Sequence, residues 1–381
     1  MRAGMWLEAL AQRYEVDLLV VPVYGAGRPD ADAFARQYCR SVTVVPREAL
    51  TRALAAGMAE AGGPLDVLRA FEASIPACLE AVDTLDLDID VIHAFRLYTT
   101  PVALALAARA PQARLHVDLD DIESVTRSRI AAMHRLNGRL DPARAEDAEA
   151  GRFAEAERDL LPRFQRLYVC SDLDAARLRE LLPGLTAEVR VVPNAVRLPV
   201  PPPSPRTTHP FTFLFVGTMG YAPNLDAVRW FTRRIWPRVH ARAGRPVLFR
   251  VVGPPPETDL SAVARLPGVR VAGPVPDVTP EYGDADAVVV PLRAGGGTRI
   301  KALEAFAHGR PVVSTTIGVE GIEATPGRDL LVADDPDAFA DACLRLIDDP
   351  ALGAAIATSA ARLVTLRYSQ DIVAPLIGGP A

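Results

Sequence analysis

Short apolar runs recur along the chain, and between them lie longer stretches whose apolar residues return every three or four positions. In the first half the runs predict strands at Val16–Val21, Val42–Val45, Val91–Phe95, Leu115–Leu119 and Leu167–Cys170. Helices are expected over Gly4–Arg13, Arg47–Glu60, Phe71–Val82, Thr100–Ala110 and Glu146–Leu161. The second half predicts strands at Phe211–Val216, Leu248–Val252, Val269–Ala272, Ala287–Val290 and Pro311–Ser314. Its partner helices are about Leu225–Ala243, Leu260–Arg265, Arg299–His308 and Ala338–Ile347. Strands alternating with amphipathic helices are the pattern of βαβ units and a mostly parallel sheet. Arg197 to Pro210 carries six prolines in 14 residues, a stiff connector that cannot enter a central sheet. The expected architecture is therefore α/β, two doubly wound Rossmann-like domains facing a cleft. An N-terminal domain would cover 1–196, the connector 197–210 and a C-terminal domain 211–381, whose last helix could return to the first domain. The front departs from this scheme, because the chain opens inside a helix where a strand and a glycine turn are expected. Loss of a central strand would leave unpaired backbone in mid-sheet, so a start site placed too late is the expected cause.

Composition narrows the class. At 381 residues there is chain enough for two ordinary domains, and 49% hydrophobic with 23% charged residues is a globular rather than a disordered balance. A net charge of −5 without a basic block argues against a nucleic-acid partner. The cysteines Cys39, Cys78, Cys170 and Cys343 form no CxxC pair and read as buried thiols in a reducing compartment. No apolar run reaches membrane-spanning length and the first residues lack a signal-peptide layout. A cytoplasmic protein is expected, with peripheral attachment to the inner face of the membrane left open. Of 42 basic residues, 41 are arginine and one is Lys301, so a lysine survives where arginine does not serve.

The chemistry concentrates in Ala287 to Pro311, AVVVPLRAGGGTRIKALEAFAHGRP. A buried strand ends at Pro291, and Gly295, Gly296, Gly297 and Thr298 lead into a helix. Glycines let backbone N–H groups approach a ligand, and a helix N-terminus adds roughly half a positive charge, which suits a diphosphate. Lys301 would add a full charge beside it, Arg299 another, and Glu304 could accept both hydroxyls of a ribose. A glycine-rich turn with a surface Lys–Glu pair is the plainer alternative.

This block resembles the donor-binding signature of glycosyltransferase family 4. Here it stands as Lys301-Ala-Leu-Glu304-Ala-Phe-Ala-His-Gly309-Arg-Pro311-Val-Val and continues through Gly318 and Gly321. Upstream, Phe215-Val-Gly217-Thr-Met-Gly-Tyr-Ala-Pro223-Asn224 resembles the first strand, turn and helix of the donor domain, and Gly253 and Gly273 resemble the next two strand ends. The resemblance covers about residues 90–370 and implies the GT-B fold and retaining, metal-independent transfer from a nucleoside-diphosphate sugar to a glycan or lipid-linked acceptor. It implies no cofactor beyond the donor, and it points to Val275 and its neighbours for the base. Two features depart: the first glutamate of Glu-x7-Glu is Gly296, and the usual Arg and Lys after the first donor-domain strand are Thr218 and Asn224. A subgroup associated with exopolysaccharide synthesis shares both losses and the string Pro-Asn-x-Asp-Ala.

In the first half, Val117-Asp118-Leu-Asp120-Asp121-Ile-Glu123 ends a predicted strand. The resemblance places a catalytic acceptor-side group near this strand end, at Asp120, where a carboxylate could orient or deprotonate the acceptor hydroxyl. Asp120 or Asp121 as the N-cap of a following helix is the rival reading. Asp118-x-Asp120 also resembles the metal-binding diacid of single-domain transferases. His93 and Arg96 end the preceding strand, and for His93 a structural role is the simpler reading. A nicotinamide dehydrogenase is disfavoured because Gly217-Thr-Met-Gly220 lacks the third glycine. A periplasmic-type binding module would need a signal peptide. A non-catalytic glycosyltransferase relative stays open.

Overall fold

The computed structural model describes residues 2–23, 33–62, 66–83, 88–199, 210–254 and 260–378, so most of the proline-rich connector lies outside the described residues. The chain divides into two compact units, Met1–Glu123 with Arg152–Val192 and Ala374–Ala381, and Ser124–Gly151 with Pro193–Val373. The N-terminal-half segment Ser124–Gly151 thus groups with the second unit.

The first unit holds α1 (Arg2–Ala11), β1 (Asp17–Val20), β2 (Ser41–Val44), α2 (Arg47–Ala61), α3 (Val67–Ala81), β3 (Val91–Phe95), α4 (Thr100–Ala107) and β4 (Arg114–Asp118). Two helices that bridge the units follow, α5 (Glu123–Leu136) and α6 (Leu140–Leu160). Then come β5 (Arg166–Val169), α7 (Asp172–Leu181) and β6 (Glu188–Val191). Strands β3-β4-β5-β6 form a parallel sheet, and β1 pairs with β2, also parallel, as a separate ribbon. Strand β5 is buried along its whole length, as the interior of a parallel sheet requires. The sequence pattern misses α5, α7 and β6. Helix α5 buries the polar Glu123, Ser124, Thr126 and His134 beside the apolar Ile130, Ala131 and Met133, so its first half carries no apolar signal. Helix α7 is short, but Ser171 caps it by accepting from the Asp174 amide at 3.1 Å.

The second unit runs β7 (Phe211–Val216), α8 (Ala222–Trp230), α9 (Trp236–Arg242), β8 (Val247–Val252), α10 (Ser261–Ala264), β9 (Val269–Val271), α11 (Thr279–Asp284), β10 (Ala287–Val290), α12 (Ile300–Ala307), β11 (Val312–Ser314), β12 (Leu331–Val332), α13 (Pro336–Asp348), α14 (Pro350–Arg367) and α15 (Gln370–Val373). Its six strands are all parallel in the order β12-β11-β10-β7-β8-β9. The helix expected over Leu225–Ala243 begins at Ala222 and is interrupted by a π turn, Phe231–Ile235. Pro237 explains the interruption, since it lacks an N–H and its ring crowds the carbonyl four residues back, which a wider turn relieves. Phe231 meets Phe249 at 4.5 Å between ring centres, and the Trp236 indole N–H donates to the Pro267 carbonyl at 2.8 Å. These side chains are buried and fix α8 and α9 on the sheet, so the turn that leads into α8 is held firmly.

Candidate functional site

The order β12-β11-β10-β7-β8-β9 grows outward in opposite directions from the β10/β7 boundary. Doubly wound sheets bind ligands beyond the carboxyl ends of the strands at such a reversal. Gly217 follows β7, and Gly295, Gly296, Gly297 and Thr298 follow β10, so both predicted turns flank that point.

Gly217 is required by close approach. A Cβ there would lie 2.8 Å from Asn224 Nδ2 and 2.9 Å from Lys301 Nζ. Gly253 is required twice, by a φ of 141° and by the Gly217 carbonyl oxygen, 2.0 Å from where its Cβ would stand. The strand ends are knit further by the Gly217 amide donating to Val252 O at 2.9 Å and the Gly253 amide to Gly273 O at 2.8 Å. Val275 lies in the turn after β9, half-buried against the core.

Lys301 sits in the first turn of α12 and donates from Nζ to Asn224 Oδ1 at 2.6 Å. The same Nζ stands 4.2 Å from the centre of the Phe215 ring, a cation–π contact. Burial, with Arg299 adding to it and Glu304 opposing, lowers its pKa to about 7. Asn224 thus turns a departure from the family pattern into a partner for the lone lysine. Glu304 is half-buried, and its Oε2 accepts from the Tyr282 hydroxyl at 2.8 Å. Burial pushes the Glu304 carboxyl up, against the lowering effect of Tyr282 and Lys301.

Arg299 is placed differently from a simple phosphate ligand. Its Nη1 turns back to the carbonyls of Gly296 and Gly297, the latter at 2.6 Å, and so braces the loop. Arg129 on α5 braces it from outside, donating to Gly295 O at 3.0 Å and to both oxygens of Glu320 at 2.7 and 3.0 Å. Sequence reasoning did not select Arg129, Glu320, Tyr282 or Asn224 as site residues. Asn224 carries a signal, since it lies in the first turn of the helix that follows β7 and Gly217; Tyr282 and Arg129 carry none.

In the first unit, Asp120 follows β4 with a φ of 57°, and Arg96, with a φ of 72°, follows the adjacent β3. They are the positive-φ non-glycine residues among those described, and Arg96 Nη2 donates to Asp120 Oδ2 at 2.5 Å. A carboxylate held in an uncommon backbone conformation and oriented by a guanidinium is a pattern found at functional sites. Asp118 is fully buried, and Arg2 donates to its two oxygens at 2.7 and 2.8 Å. That pairing occupies the first carboxylate of the Asp118-x-Asp120 diacid. The His93 ring stacks on Trp6 at 4.6 Å, and burial lowers its pKa to about 3, so it is a neutral structural group.

Residues 210–349 match the sequence family described as glycosyl transferases group 1. No curated protein matches the chain significantly in sequence. Among solved structures, sucrose-phosphate synthase from Thermosynechococcus elongatus is similar at 17% identity over 99% of this chain and 91% of that one, with a TM-score of 0.68. Anabaena HepE, solved in complex with UDP and glucose, is similar at 14% identity over 98% and 94%, with a TM-score of 0.66. The pneumococcal O-GlcNAc transferase GtfA, in complex with UDP and GlcNAc, gives 11% identity over 80% and 58%, with a TM-score of 0.57. These likenesses establish the GT-B α/β fold expected from the sequence. Among the described residues no helix is long and apolar enough to cross a membrane.

Proposed function

We propose that the chain is a family 4 glycosyltransferase that moves a sugar from a nucleoside-diphosphate sugar, with UDP the first candidate, to a glycan or lipid-linked acceptor. The observation that carries this is the Lys301 ammonium, fixed by Asn224 beside Gly217 at the strand reversal, one helical turn from the glycine loop. Lys301 and the loop amides would stabilise charge developing on the departing diphosphate, the task that contributes most to such transfers. Glu304 would hold the ribose and the Val275 turn the base. Asp120, oriented by Arg96, would accept a hydrogen bond from the acceptor hydroxyl and take up its proton. In this reading residues 1–196 bind acceptor and 211–381 bind donor. Transfer proceeds with retention, without a metal or other cofactor, in the cytoplasm or at the inner face of its membrane. The exopolysaccharide role follows from the subgroup resemblance at Asn224 and Gly296.

The test is nucleotide release by the full chain against UDP-, GDP- and ADP-sugars, with an acceptor panel and excess EDTA. Turnover with one donor despite EDTA, and an NMR spectrum showing the donor's anomeric configuration kept, supports the proposal. Nucleotide binding without release under any condition would favour a non-catalytic relative, and loss with EDTA restored by manganese would favour metal-dependent transfer.

A further inference from the structure

The second unit contains a cavity of about 430 Å³ that includes neither Lys301 nor Glu304 in its lining. It lies between the end of α5 and the outer side of α8 with its π turn. Its walls carry Arg139, Arg229, Arg233, Arg234, Arg293 and His134.

Only one of these arginines is neutralised by the surrounding protein. Arg293 donates to both oxygens of Asp226 at 2.9 and 2.6 Å, and Asn137 engages the same carboxylate at 2.7 Å. Asp226 is therefore committed. No ion pair within 4.0 Å joins Arg139, Arg229, Arg233 or Arg234 to an acidic residue among those described. Burial depresses the charge on Arg229, and Arg233 and Arg139 disfavour it further, against a favourable contribution from Asp226. Like charges spaced i, i+4, as in Arg229 and Arg233, are destabilising on a helix. A second, independent feature lies in the same wall. The His134 side chain is buried, at 6% exposure, and its Nδ1 has no hydrogen-bond partner. Buried polar atoms are nearly always satisfied, so this unpartnered atom is an unusual feature of the wall. An anion in the cavity would offset the arginine repulsion.

We propose that this cavity is a binding site for a phosphate-bearing anion, distinct from the donor site. Guanidinium groups bind phosphate oxygens through paired N–H donors, and several converging on one cavity select a ligand of more than one negative charge. The phosphate belongs either to a soluble phosphorylated compound or to the headgroup of an anionic lipid.

Binding of inorganic pyrophosphate to the full chain is measured by calorimetry at low salt. The variants are Arg139→Gln/Arg233→Gln, both at exposed positions, and Lys301→Gln, which disables the donor site. Thermal melting shows that each is folded. The site should survive in Lys301→Gln and weaken at least tenfold in Arg139→Gln/Arg233→Gln. A second arm sediments the protein with phosphatidylglycerol or phosphatidylcholine vesicles. Selective sedimentation with phosphatidylglycerol, lost in the double variant and competed by pyrophosphate, assigns the phosphate to a lipid. Pyrophosphate binding without sedimentation assigns it to a soluble compound. Equal pyrophosphate affinity in the parent and the double variant, or no binding to Lys301→Gln, overturns the proposal.

Discussion

Lys301 Nζ and Asn224 Oδ1 lie 2.6 Å apart, tying the start of the helix after the glycine loop to the start of the helix after β7. Lys301→Arg should therefore be damaging although arginine fills every other basic position. The Nζ site is bounded by Asn224, the Phe215 ring face and the Gly217 backbone, and a planar guanidinium is too broad for it. Steady-state kinetics should show kcat lower by ~10²-fold, the scale of losing one transition-state charge contact. A value within twofold of the parent would show that the lone lysine is incidental.

The lowered pKa of Lys301 has a consequence for stability with a definite sign. Its folded value is about 7 and its unfolded value 10.5. Below about 7 both states are protonated and the folded state bears the cost of a crowded ammonium; between 7 and 10.5 folding releases the proton and the cost fades. Lys301→Met should accordingly raise Tm relative to the parent at pH 6, and the difference should shrink as pH rises through 9. A constant difference across that window would refute the shift.

Glu304→Gln should act on binding rather than on turnover. The carboxylate accepts from Tyr282 and would accept from a ribose, both ground-state contacts. Calorimetry with UDP should show a loss of roughly 1–3 kcal/mol, the range for a hydrogen bond to a charged group, with kcat little changed. Tyr282→Phe, which frees Glu304 to rotate, should give a smaller loss in the same direction.

Gly253→Ala should unfold or strongly weaken the second unit. The new Cβ would stand 2.0 Å from the Gly217 carbonyl oxygen at a φ of 141°, so β7 and β8 would have to part. A cost on the order of 3 kcal/mol or more is expected from overpacking and backbone strain together. Gly283→Ala, with nothing within 4 Å of its Cβ and an ordinary helical backbone, should instead be neutral or slightly stabilising. Urea denaturation of both variants separates these outcomes.

Much of the second unit was legible because β7 and β10 are buried along most of their length and Gly217 and Gly253 directly follow β7 and β8. Phe211–Val216 and Ala287–Val290 were placed to the residue, and the loop at Gly295 and the helix carrying Lys301 followed from them. Legibility failed where burial is polar. Arg129 reads as one of many arginines, yet its grip on Gly295 and Glu320 depends on α5, whose buried first half carries Glu123, Ser124 and Thr126 ahead of the apolar Ile130, Ala131 and Met133. The Arg96–Asp120 pair was legible as two charged strand ends but not as a pair, because parallel neighbours far apart in sequence leave no local spacing to read.

Between its two units the chain passes at 123/124, 151/152, 192/193 and 373/374, and α6 runs unbroken from Leu140 to Leu160 through the second of these. For inheritance this matters more than for stability. A recombination event with one junction in the proline-rich segment would exchange everything after it yet leave Ser124–Gly151 behind. The hybrid would draw Arg129 from one parent and Gly295 and Glu320 from the other. The brace on the glycine loop is therefore a feature that cannot be transplanted with the C-terminal half alone; it is kept intact only when the segment carrying Arg129 is exchanged with it.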